Sequence, residues 1–195
     1  GYIADQCMRK AMASVQTDKD KTVLKSIIRI LYAPWLELIT KKFQGLIQKD
    51  SSVFTNQSAS TEDELYVLFV DAFRFELAKE FEERLIKYGY KVNLASGWSA
   101  IPTVTPTAKP DVSPLATEVS ASSEFVEFRP QLKDGKDLQA PAFIETLEFF
   151  GFNFVKSGDE INPDKKYWQE TGDIDKKGHA EQAGIVKRVD ELLKY

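Results

Sequence analysis

The chain has 195 residues, 43% of them hydrophobic and 29% charged, with a formal net charge of −4. That length carries one medium domain, or one domain with an appendage, and enough apolar residue to bury a core. The acidic balance excludes an overall basic field for nucleic acid or an anionic membrane, a local groove aside, and the single Cys7 excludes an internal disulfide framework and fits a reducing cytoplasm.

Residues 2–16 and 22–49 read as helices. In the second, Val23, Leu24, Ile27, Ile28, Ile30, Leu31, Leu36, Ile39, Phe43 and Ile47 recur at roughly helical spacing, and Pro34 is expected to kink or divide it. "TDKDK" between the two is a charged turn. The opening "GYIADQCMRK" lacks the charged-then-apolar order of a secretory signal, and it lacks an initiator Met, which points to an internal segment of a longer protein. The polar stretch "KDSSVFTNQSAS" (49–60) is the expected boundary between a helical segment, 1–60, and a second domain, 61–195.

Beyond that boundary the period changes. "ELYVLFVD" (64–71) is an apolar, β-rich run ending in an acid, the pattern of a strand buried on both faces of a parallel sheet. It is far too short to span a bilayer. Residues 72–89 form an amphipathic helix closed by Gly89, and "YKVNLA" (90–95) reads as a second strand. The strand–helix–strand order predicts an α/β fold. Prolines 106, 110 and 114 make 105–123 broken helix or loop. Strands are expected at 125–129 and 152–156, and helices at 141–150 and 180–194.

Three places can carry chemistry. Asp71 sits at the carboxyl end of the first strand, where ligands collect in open parallel sheets; it reads equally as a metal ligand, a nucleophile or the cap of the next helix. In "SAIPTVTPTAKPD" (99–111), Thr103, Thr105 and Thr107 alternate. A hydroxyl there can serve as a nucleophile beside a metal, or Thr105 can cap a helix with Pro106 in its first turn. In "GDIDKKGHAEQ" (172–182), Asp175 and His179, the only histidine, lie four apart and share a face if helical. A divalent ion accepts that carboxylate–imidazole pair; the alternative is an exposed turn without a role. Gly178 permits a sharp turn or close approach.

Together, "YVLFVDAFRFELAKEFEERL…GYKVNLASGWSAIPTVTPTAKPDVSPLA" and "TGDIDKKGHAEQ" resemble the PglZ domain of bacterial phage-defence (BREX/Pgl) systems, within the alkaline phosphatase superfamily. The resemblance covers about residues 64–195 and leaves the N-terminal helices outside. It implies a metal-dependent phosphoesterase with an alkaline-phosphatase-like parallel sheet. Asp71 would bind one divalent ion, Thr105 would be nucleophile and co-ligand of that ion, and Asp175 and His179 would bind a second, both ions being zinc by family habit. It further implies a downstream Asp–His pair and another histidine, which these residues do not contain, so the domain is expected to be cut before them and this chain to be inactive by itself. The implied setting is the bacterial cytoplasm, with other defence proteins as partners, no membrane, and a phosphoester substrate such as a nucleotide or nucleic acid.

Arg74 and Lys109 are further candidates for holding substrate phosphate, with surface or packing roles as alternatives. Phe73 and Trp98 read as base-stacking rings or as core. A non-catalytic module docking other defence proteins is the competing reading for the whole.

Overall fold

The computed structural model describes residues 1–49, 66–97, 103–120 and 129–180. In chain order its elements are α1 (Tyr2–Ser14), α2 (Asp18–Lys49), β1 (Tyr66–Val70), α3 (Phe75–Lys87), α4 (Thr105–Asp111), α5 (Ala140–Phe149), β2 (Phe152–Val155), β3 (Lys166–Thr171) and α6 (Asp173–Ala180). A 3₁₀ turn covers Ala116–Glu118. The protein is therefore mixed α/β. The described residues fall into two compact units: 1–49, 72–95 and 172–180 make a helical unit, and 66–71, 96–97, 103–120 and 129–171 make a sheet unit.

In the helical unit, α2 begins on a reciprocal cap. Thr17 Oγ1 accepts from the Asp20 N–H at 3.1 Å, and its own hydroxyl donates to Asp20 Oδ2 at 2.7 Å. This satisfies an N–H that the first turn would otherwise leave open. The helix runs unbroken to Lys49 with Pro34 inside it, so of the two expected effects, a kink or a division, the proline does not produce the division. The hydrogen bonds on either side carry the turn across the missing N–H. α1 packs on α2 and α3, and Leu77 of α3 is fully buried. α3 ends as its glycine predicts. Gly89 adopts φ +88°, its N–H bonds to Ile86 O at 3.0 Å, and the Tyr90 N–H bonds to Leu85 O at 3.1 Å, a Schellman closure that only an αL residue permits cheaply.

The expected strand at 90–95 does not form; these residues are described and join no ladder. Val92 and Leu94 are half-buried in alternation, but a strand needs a partner for its backbone groups, and none of the described residues supplies one. The partner of β1 is instead β3, in parallel register with Tyr66 beside Tyr167 and Val70 beside Thr171. β2 pairs with the other side of β3, also parallel, giving the order β1-β3-β2. Among the described residues β1 is thus an edge strand, half-buried at every position rather than covered on both faces. The central strand is one the sequence does not announce: "KYWQET" carries Lys166, Gln169 and Glu170 in a stretch of six.

The core of the sheet unit gathers Leu115, Leu138, Phe143, Leu147, Phe152 and Trp168. Trp168 is fully buried, stacked on Phe69 at 5.9 Å and met edge-on by Phe143 at 5.6 Å. Each large apolar side chain so buried contributes about 1.5–3 kcal/mol. Its buried neighbour Gln169 is tolerated because the Tyr66 hydroxyl donates to its Oε1. α5 and β2 lie close to the helix and strand expected at 141–150 and 152–156, and Gly151 at φ +87° makes the turn between them. The expected strand at 125–129, but for Arg129, and the helix at 180–194, but for Ala180, lie outside the described residues, as does the 49–60 boundary except Lys49. Among the described residues no helix is long and apolar enough to cross a membrane.

Candidate functional site

Asp71 directly follows β1, and its N–H continues the ladder by bonding to Thr171 O at 2.9 Å. The next residue, Ala72, has φ +57°. A side chain there strains the backbone by about 1 kcal/mol, and such strain collects where a turn must present a neighbouring group. Asp71 is half-buried, so its carboxylate keeps access to water.

Thr105 comes to this carboxylate. Its hydroxyl Oγ1 is 3.0 Å from Asp71 Oδ2 and 3.2 Å from Oδ1. The sequence leaves helix capping open as an alternative, and the structure assigns that position to Val104 instead. Thr105 is the first helical residue of α4, with Pro106 behind it, and no side chain caps the end. The hydroxyl is therefore free of the helix and committed to the acid. Thr107 turns inward, buried, with its hydroxyl on Val104 O at 3.0 Å.

One turn along α4, Lys109 Nζ lies 3.2 Å from both oxygens of Glu170 and 5.0 Å from the centre of the Phe143 ring. Glu170 also accepts from Trp168 Nε1 at 2.8 Å. Lys109 is thus engaged with a carboxylate at the end of β3. Glu170 is a site residue that sequence reasoning misses, because its strand goes unrecognised.

Asp175 and His179 belong to the helical unit. They lie on α6, which runs through Gly178 without turning there. The four-residue spacing brings Asp175 Oδ1 within 3.5 Å of His179 Nε2, and the imidazole is 82% exposed. Arg74 precedes α3 and pairs with buried Glu76 at 2.8 Å, a contact without hydrogen-bond alignment. Phe73 packs edge-on against Phe81 at 6.0 Å, in a packing role; Trp98 lies outside the described residues.

The candidates are therefore brought together as two pairs, Asp71 with Thr105 and Asp175 with His179. Each pair fits part of a divalent-ion shell, with hard oxygen or imidazole donors close enough to share one ion. Each supplies two donors where zinc usually takes three or four from protein. Consistent with that, no group of three His, Cys, Asp or Glu side chains among the described residues forms a cage. Comparison with known protein families, with curated proteins and with solved structures gives no match.

Proposed function

We propose that this chain is part of a PglZ-type, alkaline-phosphatase-like phosphoesterase of a cytoplasmic phage-defence system, with Thr105 as nucleophile. The observation that carries the reading is the Thr105 hydroxyl held 3.0 Å from Asp71, at the end of a parallel strand and beside a strained residue.

Asp71 and Thr105 would hold one divalent ion, and Asp175 and His179 a second; bound zinc there would acidify the hydroxyl and offset charge on the phosphoryl oxygens. The rest falls to the protein. Thr105 Oγ1 attacks phosphorus as its proton leaves by way of the Asp71 carboxylate to water, the bond to the leaving oxygen breaks, and the departing alkoxide takes a proton from water. A second water then attacks phosphorus and gives up a proton, the Oγ1–P bond breaks, and Thr105 Oγ1 is reprotonated. Arg74, exposed through more than half of its side chain, would meet the phosphoryl oxygens. Lys109, already bound by Glu170, would act by neutralising that carboxylate near the nucleophile. Because each ion has two donors here, turnover belongs to a protein that supplies the remaining ligands.

The test is hydrolysis of bis(p-nitrophenyl) phosphate by the zinc-loaded full-length parent and its Thr105→Ala and Thr105→Ser variants. Loss in the first and partial retention in the second is expected; unchanged turnover in the alanine variant overturns the assignment.

One observation favours a second reading, a non-catalytic docking module. α2 has no buried residue and exposes Val23, Ile30, Leu31, Leu38 and Leu46. Loss of assembly with other defence proteins in an Ile30→Glu/Leu31→Glu variant that retains hydrolysis would assign α2 that role.

A further inference from the structure

Lys21, Leu24, Ile28, Tyr32 and Trp35 of α2 are half-buried, and the Tyr32 hydroxyl donates to Asp5 of α1, so this side of the helix faces its own unit. The other side is apolar and uncovered. Val23, Ile27, Ile30, Leu31 and Leu38 are exposed, Ile30 and Leu31 to 72% each, and Pro34 among them is exposed too. At about 100° per residue, all six fall within roughly a third of the helix circumference. A helix on a folded unit normally turns such a stripe inward, and a contiguous stripe left outside marks an interaction surface.

The stripe is bounded by charges of opposite sign. Asp20 lies one turn before Val23 and Lys41 one turn after Leu38, both exposed and on the same side of the helix. Asp20 gives Oδ2 to the cap of α2, and Lys41 has no ion pair among the described residues. The spacing of Asp20, Val23, Ile27 and Ile30 returns in reverse as Leu31, Pro34, Leu38 and Lys41. A pattern that reads the same from both ends, with its charge sign exchanged, is complementary to itself turned end for end.

We propose that this face of α2 binds the same face of a second copy of the chain, antiparallel, about a two-fold axis between Ile30 and Leu31. In that register Ile30 lies beside the partner's Leu31, Ile27 beside the partner's Pro34, and Val23 beside the partner's Leu38. Asp20 then stands beside the partner's Lys41 at both ends, as an isologous contact requires. A parallel pair would set like charges together at each end. From Asp20 to Lys41 the helix runs about 30 Å, so two copies bury on the order of 1,000 Å² in total, the low end of specific interfaces. The pairing is independent of the phosphoesterase reading, since it uses none of the residues assigned there. It does use the face that the docking reading gives to other proteins, and measuring this chain alone separates the two.

The experiment is sedimentation equilibrium of the 195-residue chain, with Cys7 kept reduced. A monomer–dimer equilibrium with a dissociation constant between about 1 and 100 µM is expected. Lys41→Asp and Asp20→Lys should each weaken it about tenfold, because every dimer contains two such pairs and each would become a repulsion. Asp20→Lys/Lys41→Asp restores opposite charges and should return to within about threefold of wild type. Ile30→Glu/Leu31→Glu should be monomeric throughout. All the substituted side chains are exposed, and circular dichroism checks that each variant keeps its helices. A wild type still monomeric at about 200 µM overturns the proposal and leaves the face to a different partner. So do single charge reversals that change nothing, the result of a parallel pair or another surface. A double reversal no tighter than the singles, or a folded Ile30→Glu/Leu31→Glu that still dimerises, overturns it equally.

Discussion

Thr105 Oγ1 donates to the carboxylate of Asp71 from 34 residues away, at 3.0 Å, because Thr105 is the first helical residue of α4 and the capping position falls to Val104. The bond lies at the exposed end of the sheet unit and contributes little to the core. Thr105→Ala should therefore change unfolding free energy by no more than about 1 kcal/mol. Urea unfolding of the two proteins measures it. A loss of several kcal/mol would make Thr105 a structural residue and remove the meaning of an activity loss.

Ala72 gives a prediction of opposite sign. Its φ of +57° suits glycine, which has no Cβ to strain. Ala72→Gly should raise stability by roughly 1 kcal/mol, less the entropy that glycine adds to the unfolded chain. A destabilised variant would show that the methyl group is held by packing that outweighs the strain.

The Arg9–Glu80 pair is 4% and 5% exposed at its side chains. Arg9→Ala should cost about 3–5 kcal/mol, because among the described residues Glu80 is then buried with only the 3.8 Å approach of Arg84 to offset it. Replacing both, as Arg9→Met/Glu80→Leu, should recover most of that loss. Equal destabilisation by the single and double variants would contradict this account.

Burial first, and then the hydrogen bond and charge of Asp5, push the Tyr32 phenol up from 10.0 to about 12; Glu76 adds to this and Arg74 opposes it. The folded state thus holds the proton more tightly than the unfolded state. The resulting stabilisation is fully present below pH 10 and is lost as pH rises toward 12. Tyr32→Phe has no proton to lose, so the stability difference between wild type and variant should shrink across that window. Parallel pH profiles would count against it.

Much of the scaffold was legible in the sequence, for reasons that can be located. Apolar residues at helical spacing announced α1, α2 and α3, and Gly89 announced where α3 stops. Asp175 and His179 met because a helix places residues four apart on one face. The sheet was less legible. β3 hides behind Lys166, Gln169 and Glu170; Gln169 is met by Tyr66 across the ladder, and Glu170 by Lys109 from far along the chain and by Trp168 two residues back. Missing it also concealed Glu170. The Arg9–Glu80 contact, 71 residues apart, had no local signal at all. Asp71 and Thr105 were paired through family resemblance, since position by itself left each with a capping role.

The strand order β1-β3-β2 also sets a timetable for synthesis. β1 emerges from the ribosome early, but its partner among the described residues is β3, with Tyr66 beside Tyr167. At about 5–20 residues per second, the hundred or so intervening residues take roughly 5–20 s to appear. During that interval "YVLFV" is an apolar, β-prone segment with unsatisfied backbone groups on both edges, while α1, α2 and α3 can form from local contacts. A nascent chain stalled before residue 166 should therefore bind chaperones through β1 and release them once β3 is made.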